Sequence, residues 1–314
     1  MDSLAKPLVM KAVSGAPAAR AWLERARRPS VMHVFDRAIN LLDPGAGVVS
    51  LVPHPLGSGP FAMVLEGTEE SFGPEARLGD WVTADSPVRV EARRLAVGRL
   101  VVGTAEMKLW DPQLPWDVLR SRRERFLTTF PRLQDLLREE APPGGLAGLF
   151  RGRVNRPPGS GLIDQALLDR AANPARRLAE ALATGDVASA SDSAVQLAGL
   201  GGGLTPSGDD FLIGAMYAVW LADDTAAASR TCQGMAAAAG PRTTHLSRAW
   251  LEAGARGEAS MTWHRLMAAV IREDDSLSAA ARDLLAVGHT SGADALAGFL
   301  VTAEALFPNS THPS

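Results

Sequence analysis

Residues 99–130 read RLVVGTAEMKLWDPQLPWDVLRSRRERFLTTF, and their hydrophobic pattern changes part-way along the stretch. Before Trp110 the apolar residues come in short β-branched runs such as Arg99–Gly103, which is typical of strands. After Pro112 the apolar residues recur at helical spacing, first over Asp117–Phe130. A chain that has strands first and helices later is predicted to be an α+β protein with segregated regions.

The part before Pro112 is predicted to form an antiparallel sheet or a small barrel, because Gly, Pro and Asp interrupt its apolar runs at close intervals. A short helix is expected ahead of the strands, over Ala18–Arg28. Strands are expected in five runs: Gly47–Pro53, Pro60–Glu66, Asp80–Ala84, Val88–Ala92 and Arg99–Gly103. Residues 1–112 are therefore predicted to be a β-rich domain, and residues 113–314 a mainly α-helical domain.

The second part has helical periodicity almost throughout. Prolines are expected to break two of its segments, at Pro131 and near Asn173-Pro174. Helices are expected over Asp117–Phe130, Leu133–Glu140, Gly159–Ala183 (in two pieces), Val187–Leu200, Asp210–Leu221, Ala226–Ala239, Thr244–Ala253, Ala259–Arg272, Leu277–Val287 and Gly292–Leu306. The Pro- and Gly-rich segments Pro142–Gly145 and Arg151–Ser160 are expected to be loops, either mobile or part of a site.

Composition excludes several classes of protein. A hydrophobic fraction of 46% and a charged fraction of 21% fit a globular chain with a sizeable core. The net charge of −3 provides no basic excess for nucleic acid. Cys232 is the single cysteine, so an intrachain disulfide is impossible. No signal-peptide pattern is present, and no run approaches the ~20 apolar residues of a membrane helix. A cytoplasmic protein that binds neither nucleic acid nor membrane is expected.

Two segments of the helical part echo each other. Ser207–Gly214 and Ser291–Gly298 both fit the pattern Ser-Gly-x-Asp-x-Leu-x-Gly, 84 residues apart. Each follows a turn that contains glycine, and the first turn contains the run Gly201–Gly203. Helix capping is one explanation, because Ser and Asp three residues apart suit a helix start.

Capping leaves the three consecutive glycines unexplained. Glycines allow positive φ and let backbone amides approach a ligand, and amides at a helix start form an anion site. The phosphate-loop motif requires a lysine that is absent here, and a dinucleotide motif would need glycine where Leu204 stands. An anion site of another kind is therefore the functional alternative to capping.

Other residues near the two turns carry chemistry. The adjacent carboxylates Asp209 and Asp210 could ligate Mg²⁺, although acids at a helix start also have an electrostatic role. Arg242 and Thr244 begin a helix after a proline and could donate to an anion, or Thr244 could serve as a cap. His289, directly before the second motif, could act as an acid or base.

The chain resembles the AllH-type family at several of these positions. The resemblance rests mainly on Gly199–Gly214 and Gly288–Asp294, with support from Val34–Leu41 and Thr243–Ser247. It implies a subunit of a multi-protein oxamate carbamoyltransferase, which would handle carbamoyl phosphate and oxamate or oxalurate in allantoin breakdown. The Ser-Thr-Arg-Thr phosphate loop of ordinary carbamoyltransferases is absent.

Together these observations give the hypothesis that both turns converge on one small anion, since fixed donors would stabilise the charge that develops in carbamoyl transfer. Catalytic roles are expected for Asp210, Arg242 and His289, and a metal role for Asp209. Anion contacts are expected from Gly201, Gly202, Gly203, Thr205, Ser207, Gly208, Thr244, Thr290, Ser291 and Gly292. Two alternatives stay open: a non-catalytic partner subunit, and a metal-dependent hydrolase that uses Asp209, Asp210 and Asp294.

Overall fold

The computed structural model describes residues 7–54, 57–66, 77–151, 162–272 and 276–308. Contacts between Cα atoms divide the chain into two compact units, Met1–Pro112 and Gln113–Ser314. The first unit is built mainly of strands and the second of helices, which confirms the α+β class. Within the described ranges, no helix has both the length and the apolar character needed to cross a membrane. Most of the predicted loop Arg151–Ser160 lies outside the described residues.

Nine strands in the described part of the first unit form one sheet, in the order β2-β3-β4-β5-β1-β8-β7-β6 with β9 also paired to β1. The strands are β1 (Leu8–Gly15), β2 (Ser30–Val34), β3 (Ile39–Asp43), β4 (Gly47–Pro53), β5 (Ala62–Glu66), β6 (Val88–Glu91), β7 (Arg94–Val97), β8 (Leu100–Gly103) and β9 (Lys108–Leu109).

The directions of these strands are mixed, which corrects the expectation of a purely antiparallel sheet. β1 runs parallel to β8 and β9, and β4 runs parallel to β5, while the remaining pairs are antiparallel. Two of the parallel pairs involve β1, which inserts between β5 and β8 although both come much later in the chain. Alternating apolar residues indicate a strand, but they do not indicate its partners.

Strand β1 was not predicted, although it shows the expected alternation. Leu8, Met10 and Ala12 are buried, and the residues between them are exposed. The predicted helix over Ala18–Arg28 is present as α1 (Pro17–Arg25). Its Trp22 is fully buried, and the indole Nε1 donates a hydrogen bond to the carbonyl of Gly47 at 2.9 Å. This contact attaches the helix to the sheet.

The predicted strand Asp80–Ala84 is wrong. Residues Leu78–Asp80 form a short 3-10 helix, in which the amides of Trp81 and Val82 both donate to the carbonyl of Leu78. These two amides are therefore used within the turn and are not available to pair with a neighbouring strand.

The helices of the second unit surround two central ones, α7 and α12. The helices are α2 (Trp116–Ser121), α3 (Arg123–Glu140), α4 (Gly148–Arg151), α5 (Leu162–Ala183), α6 (Val187–Leu197), α7 (Ser207–Ala222), α8 (Thr225–Ala239), α9 (His245–Ala255), α10 (Met261–Arg272), α11 (Ser276–Leu285) and α12 (Ser291–Leu306). Every residue of α7 from Ser207 to Leu221 is buried, as are most residues of α12. Helices that are apolar on all sides belong at the centre of a helical unit.

Both proline breaks that the sequence predicted are absent. α3 continues through Pro131 and α5 continues through Pro174. In α3 the buried residues lie on both sides of the proline, among them Phe126, Phe130 and Leu133. Burial of this apolar stripe outweighs the hydrogen bond that the proline removes.

Substituting Pro131→Ala is expected to raise the free energy of unfolding by about 2 kcal/mol, because the restored amide can donate to the carbonyl of Leu127. The greater freedom of the unfolded chain opposes this gain but is the smaller effect. Urea denaturation measures the change. Pro115→Ala is the control, because Pro115 is exposed and precedes the first residue of α2. A gain no larger than that of the control would show that Pro131 is not strained.

Candidate functional site

Helices α7 and α12, which carry the echoed motif, pack against each other through equivalent residues. Gly214 lies so close to α12 that a Cβ atom there would overlap the carbonyl oxygen of Ala295. Gly298 lies in the same way against the carbonyl oxygen of Phe211 on α7. Gly214 and Gly298 are 84 residues apart, and so are Phe211 and Ala295, which is the offset between the two motifs. Reciprocal contacts of this kind define an approximate twofold relation between the two helices.

The turns before the two helices also correspond. The amide of Gly208 donates to the carbonyl of Leu200 at 2.8 Å, and the amide of Gly292 donates to the carbonyl of Val287 at 3.1 Å. The segment from Leu200 to Gly208 is three residues longer than the segment from Val287 to Gly292. The repeat therefore extends beyond the eight motif residues, and its first copy contains an insertion.

The insertion belongs to the segment 199–205, here called the glycine loop. Gly201 and Gly203 have φ values of +108° and +86°. Residues Gly201, Gly202 and Gly203 are exposed, and a Cβ atom on Gly202 or Gly203 would meet no atom within 4 Å. In the part of the chain that the structure describes, the amides of these three glycines have no hydrogen-bond acceptor. The loop thus presents open, unpaired amide donors.

Side chains beneath the glycine loop hold it in place. The buried carboxylate of Asp209 accepts hydrogen bonds from the amide of Gly199 at 3.0 Å and from the hydroxyl of Thr243. The hydroxyl of Thr244 donates to the carbonyl of Leu204 at 2.7 Å. Burial raises the pKa of Asp209, although the hydrogen bonds from Thr243 and Gly199 oppose the rise. Asp209 and Thr244 therefore support the loop from within.

This arrangement does not agree with the expectation that Asp209 binds Mg²⁺. Both carboxylate oxygens of Asp209 already accept hydrogen bonds from the chain. Over the described ranges, no group of three or more His, Cys, Asp or Glu residues is placed to hold a metal ion. The carboxylate instead acts as the internal acceptor that fixes the loop.

The two motifs contribute a cluster of six polar residues at the point where their helices begin. Hydroxyls of each motif lie against the carboxyl group of the other: Ser291 faces Asp210, and Ser207 faces Asp294. The Ser-Asp cluster, as it is called below, consists of Thr205, Ser207, Asp210, Thr290, Ser291 and Asp294. The crossed pairing obeys the same twofold relation as the glycine contacts.

The capping explanation for the motif serines is wrong. Ser207 is the first residue of α7, the N-cap is Pro206, and no side chain caps the helix. Ser291 likewise begins α12, and its N-cap Thr290 makes no capping hydrogen bond. The serine hydroxyls are directed across the helix pair instead, so the recurrence of Ser-x-x-Asp reflects contact between the two helices.

The two carboxyl groups of the cluster are almost completely removed from water. Asp294 is 0% exposed and Asp210 is 7% exposed. Among the described residues, Oδ2 of each has no hydrogen-bond partner. Burial raises the pKa of Asp294 to about 6, although hydroxyl and amide donors oppose it. Burial raises the pKa of Asp210 well above its usual value, and the charges of Asp294 and Asp209 add to this rise. These effects all favour the neutral, protonated form of Asp210.

The loop Pro142–Gly145, which the sequence left as mobile or part of a site, is brought to the cluster. Gly145 has φ +66° and lies directly against the carboxyl group of Asp294, so that a Cβ atom would overlap it. The amides of Leu146 and Ala147 donate to Oδ1 of Asp294 at 2.5 and 3.2 Å. The loop therefore covers one side of the cluster.

Arg242 and His289 are exposed, and within the part of the chain that the structure describes no side-chain hydrogen bond or ion pair joins them to the buried cluster. Arg242 lies near the glycine loop through its backbone, since its carbonyl oxygen would contact a Cβ atom on Gly199 at 2.7 Å. His289 lies between Gly288 and Thr290 on the second turn. Both residues are thus on the outer side of the predicted site.

Gly208 and Gly292 are buried in the turns, and their amides donate hydrogen bonds to the carbonyls of Leu200 and Val287. A Cβ atom on Gly208 would overlap the carbonyl oxygen of Leu197, and the position of Gly292 is equivalent. The expectation that these two amides bind an anion does not agree with this geometry. Both glycines allow close helix packing instead.

The structure brings together five residues of the predicted site: Thr205, Ser207, Asp210, Thr290 and Ser291. The predicted anion-binding residues do not include Asp294. They also do not include Thr243 or the amides of Leu146 and Ala147. The echo itself could have indicated Asp294, because that residue occupies the position of Asp210 in the second motif. No sequence pattern could have indicated that the amides of Leu146 and Ala147, before α4, donate to Asp294.

The fold and the site together define an α+β protein with two equivalent helix beginnings that enclose a pair of buried carboxyl groups. Residues 197–303 match the family model described as oxamate carbamoyltransferase subunit AllH. The match confirms the resemblance over about a third of the chain, a segment that runs from the end of α6 into α12 and includes both motifs. Comparisons with curated proteins and with solved structures gave no match.

Proposed function

We propose that this chain is a subunit of a carbamoyltransferase that acts on oxamate with carbamoyl phosphate or, in the reverse direction, on oxalurate with phosphate. The observation that carries the proposal is the glycine loop, whose unpaired amides lie beside the Ser-Asp cluster within the segment that matches the family. Unpaired backbone amides in a glycine-rich loop favour an anion, and carbamoyl phosphate is a small dianion.

The chemistry of the transfer suits this site. The nitrogen of oxamate attacks the carbonyl carbon of carbamoyl phosphate, the new C–N bond forms, and the C–O bond to phosphate breaks. The proton lost from the nitrogen ends on the released phosphate. Negative charge grows on the carbonyl and phosphate oxygens, and fixed donors that point there lower the barrier. The amides of Gly202 and Gly203 and the hydroxyl of Thr205 are the donors that we assign to the phosphate group.

The remaining residues receive secondary roles in this proposal. Thr290 and Ser291 complete the site from the second turn. Arg242 and His289 are exposed, so they suit the capture or release of a charged substrate at the rim. We assign no metal ion to the site.

The family description names a subunit, and we therefore propose that further chains complete the enzyme. If those chains held the whole active centre, this one would be a non-catalytic partner. The glycine loop favours a site on this chain, because Gly202 and Gly203 face open space and have no packing role.

Substituting Gly203→Ala is expected to weaken the binding of carbamoyl phosphate to the purified chain by about tenfold, the value of roughly one hydrogen bond to a charged group. A Cβ at this left-handed position distorts the loop and crowds its amides. Isothermal titration calorimetry measures the affinity.

Gly185→Ala is a matched control. Gly185 also has a positive φ, +70°, and also faces open space, but it lies in the turn between α5 and α6. Both variants should lose a similar amount of stability, and only Gly203→Ala should lose affinity. Absence of binding to the unmodified chain, or equal affinity in all three proteins, would contradict a site on this loop.

A further inference from the structure

A chain of hydroxyl groups connects the buried carboxyl of Asp210 with the glycine loop. The hydroxyl of Ser291 lies against that carboxyl group, and so does the hydroxyl of Thr205. The hydroxyls of Ser291 and Thr205 are 3.0 Å apart, and either oxygen could be the donor. Thr205 and Ser291 are half-buried, while Asp210 is 7% exposed with an unpaired Oδ2. The chain therefore runs from an enclosed carboxyl group to the side of the loop that solvent reaches.

The direction of these hydrogen bonds depends on one proton, because a hydroxyl has a single hydrogen to donate. If Asp210 is ionised, it can only accept, so Ser291 donates inward and Thr205 donates either to Asp210 or to Ser291. If Asp210 is protonated, it can donate to Ser291, Ser291 can donate to Thr205, and the hydrogen of Thr205 is free to point at the loop. The first state removes a donor from the loop and the second supplies one.

We propose that the proton on Asp210 sets the direction of this hydroxyl chain, so that the glycine loop binds an anion tightly only when Asp210 is protonated. The inference rests on the proposed function, because it concerns the same anion site. It makes Asp210 a positioning residue that acts through Ser291 and Thr205, and it gives the otherwise unpaired carboxyl oxygen a use.

The surroundings of Asp210 favour the protonated state. Burial disfavours its charge, and the carboxyl groups of Asp294 and Asp209 add negative potential. Asp294 approaches from α12 in the equivalent position, and the 142–147 loop contributes only backbone donors, which bind Asp294. Other charged groups near the site are Asp164, whose Oδ1 would lie 3.6 Å from a Cβ on Gly144, and the exposed Arg242 and His289.

Sulfate is the probe that tests the proposal, because its charge stays constant where that of phosphate changes. Calorimetric affinity for sulfate is measured with the full chain between about pH 5 and about pH 9, a range that spans the raised pKa values of buried carboxyl groups. The affinity is expected to fall by about tenfold or more as the pH rises, since a donor to a charged ligand is lost.

Three variants assign the effect to the hydroxyl chain. Asp210→Asn supplies a permanent amide donor, so sulfate affinity should stay near its low-pH value throughout. Asp294→Asn removes a neighbouring negative charge, so the midpoint should move to lower pH. Thr205→Val keeps the shape of the side chain without its hydroxyl, so the affinity should be low and independent of pH.

Two controls address other titrating groups. Asp224→Asn changes an exposed N-cap of α8 and should leave the pH dependence intact. His289→Gln tests the exposed histidine on the second turn. The pH dependence should persist in both.

The outcomes separate this inference from the proposed function. Sulfate binding without pH dependence, or an Asp210→Asn variant that keeps the pH dependence, would overturn the inference and leave the anion site standing. No sulfate binding at any pH would reject the anion site and the inference together. A pH-linked site in a chain that does not bind carbamoyl phosphate would reject only the proposed substrate.

Discussion

Substituting Gly298→Ala is expected to lower the free energy of unfolding by about 3 kcal/mol, the upper part of the range for overpacking a buried contact. The added methyl group would overlap the carbonyl oxygen of Phe211, and a backbone atom cannot rotate away as a side chain does. The two central helices must separate, which disturbs the Ser-Asp cluster at their beginnings. Gly214→Ala should have a similar effect, because it meets the carbonyl of Ala295 in the equivalent contact.

Chemical denaturation monitored by circular dichroism measures this loss. Gly234→Ala is the control, since Gly234 also lies inside a helix, α8, but its Cβ would meet only side-chain atoms of Val187 and Ser191, at 3.3 and 3.4 Å. That substitution should change stability by less than about 1 kcal/mol, because alanine is also the better helix former. Equal effects at positions 234, 214 and 298 would show that the two helices do not pack as described.

The second large effect concerns Asp294. Substituting Asp294→Asn is expected to make the protein more stable than the unmodified chain at neutral pH, by on the order of 3 kcal/mol. Asparagine has nearly the shape of aspartate, and its Oδ1 can still accept from the amides of Leu146 and Ala147. The variant no longer bears the free-energy cost of a negative charge buried at this position.

The direction follows from the raised pKa. In the folded protein the pKa of Asp294 is about 6, against 3.8 for an aspartate in an unfolded chain, so between these values the folded state binds more protons than the unfolded state. The stability of the unmodified protein should therefore fall as the pH rises through this window and level off above it. The advantage of Asp294→Asn should grow over the same window and be smallest near pH 3.8.

Urea denaturation of both proteins at several pH values tests this expectation. Asp43→Asn is a useful comparison, because Asp43 is also buried, yet the backbone amides of Arg27, Arg28, Gly45 and Ala46 overcome the effect of burial and lower its pKa. Its replacement should destabilise the protein at neutral pH. If Asp294→Asn behaved like Asp43→Asn, the carboxyl of Asp294 would be stabilised in its charged form and the account of the cluster would be wrong.

Much of the fold follows from the sequence because local patterns report local structure. The change of period after Pro112 separates strands from helices, and the helices α6 to α12 begin and end close to their predicted bounds. The errors arise where contacts between distant segments override the local conformational preference of the chain. Pro131 and Pro174 do not break their helices, and the parallel pairing of β1 depends on segments far away in the chain.

The candidate site was predictable to the extent that it repeats. The shared Ser-Gly-x-Asp pattern located both helix beginnings, and the glycine run marked a loop with unpaired amides. The pattern could not show that each serine faces the aspartate of the other motif, because a Ser-x-x-Asp spacing also fits capping of a single helix. Nor could it show that Asp209 is used internally, since its two partners, Gly199 and Thr243, are distant from each other in sequence.

The central claim is that the two helix beginnings form one anion site. The most direct test is a crystal structure of the chain soaked with a non-hydrolysable analogue of carbamoyl phosphate. We expect the phosphonate group to accept hydrogen bonds from the amides of Gly202 and Gly203 and from the hydroxyl of Thr205, with Ser291 of the second turn next to it. An analogue bound away from the glycine loop, or a loop that stays empty at saturating concentration, would contradict the account.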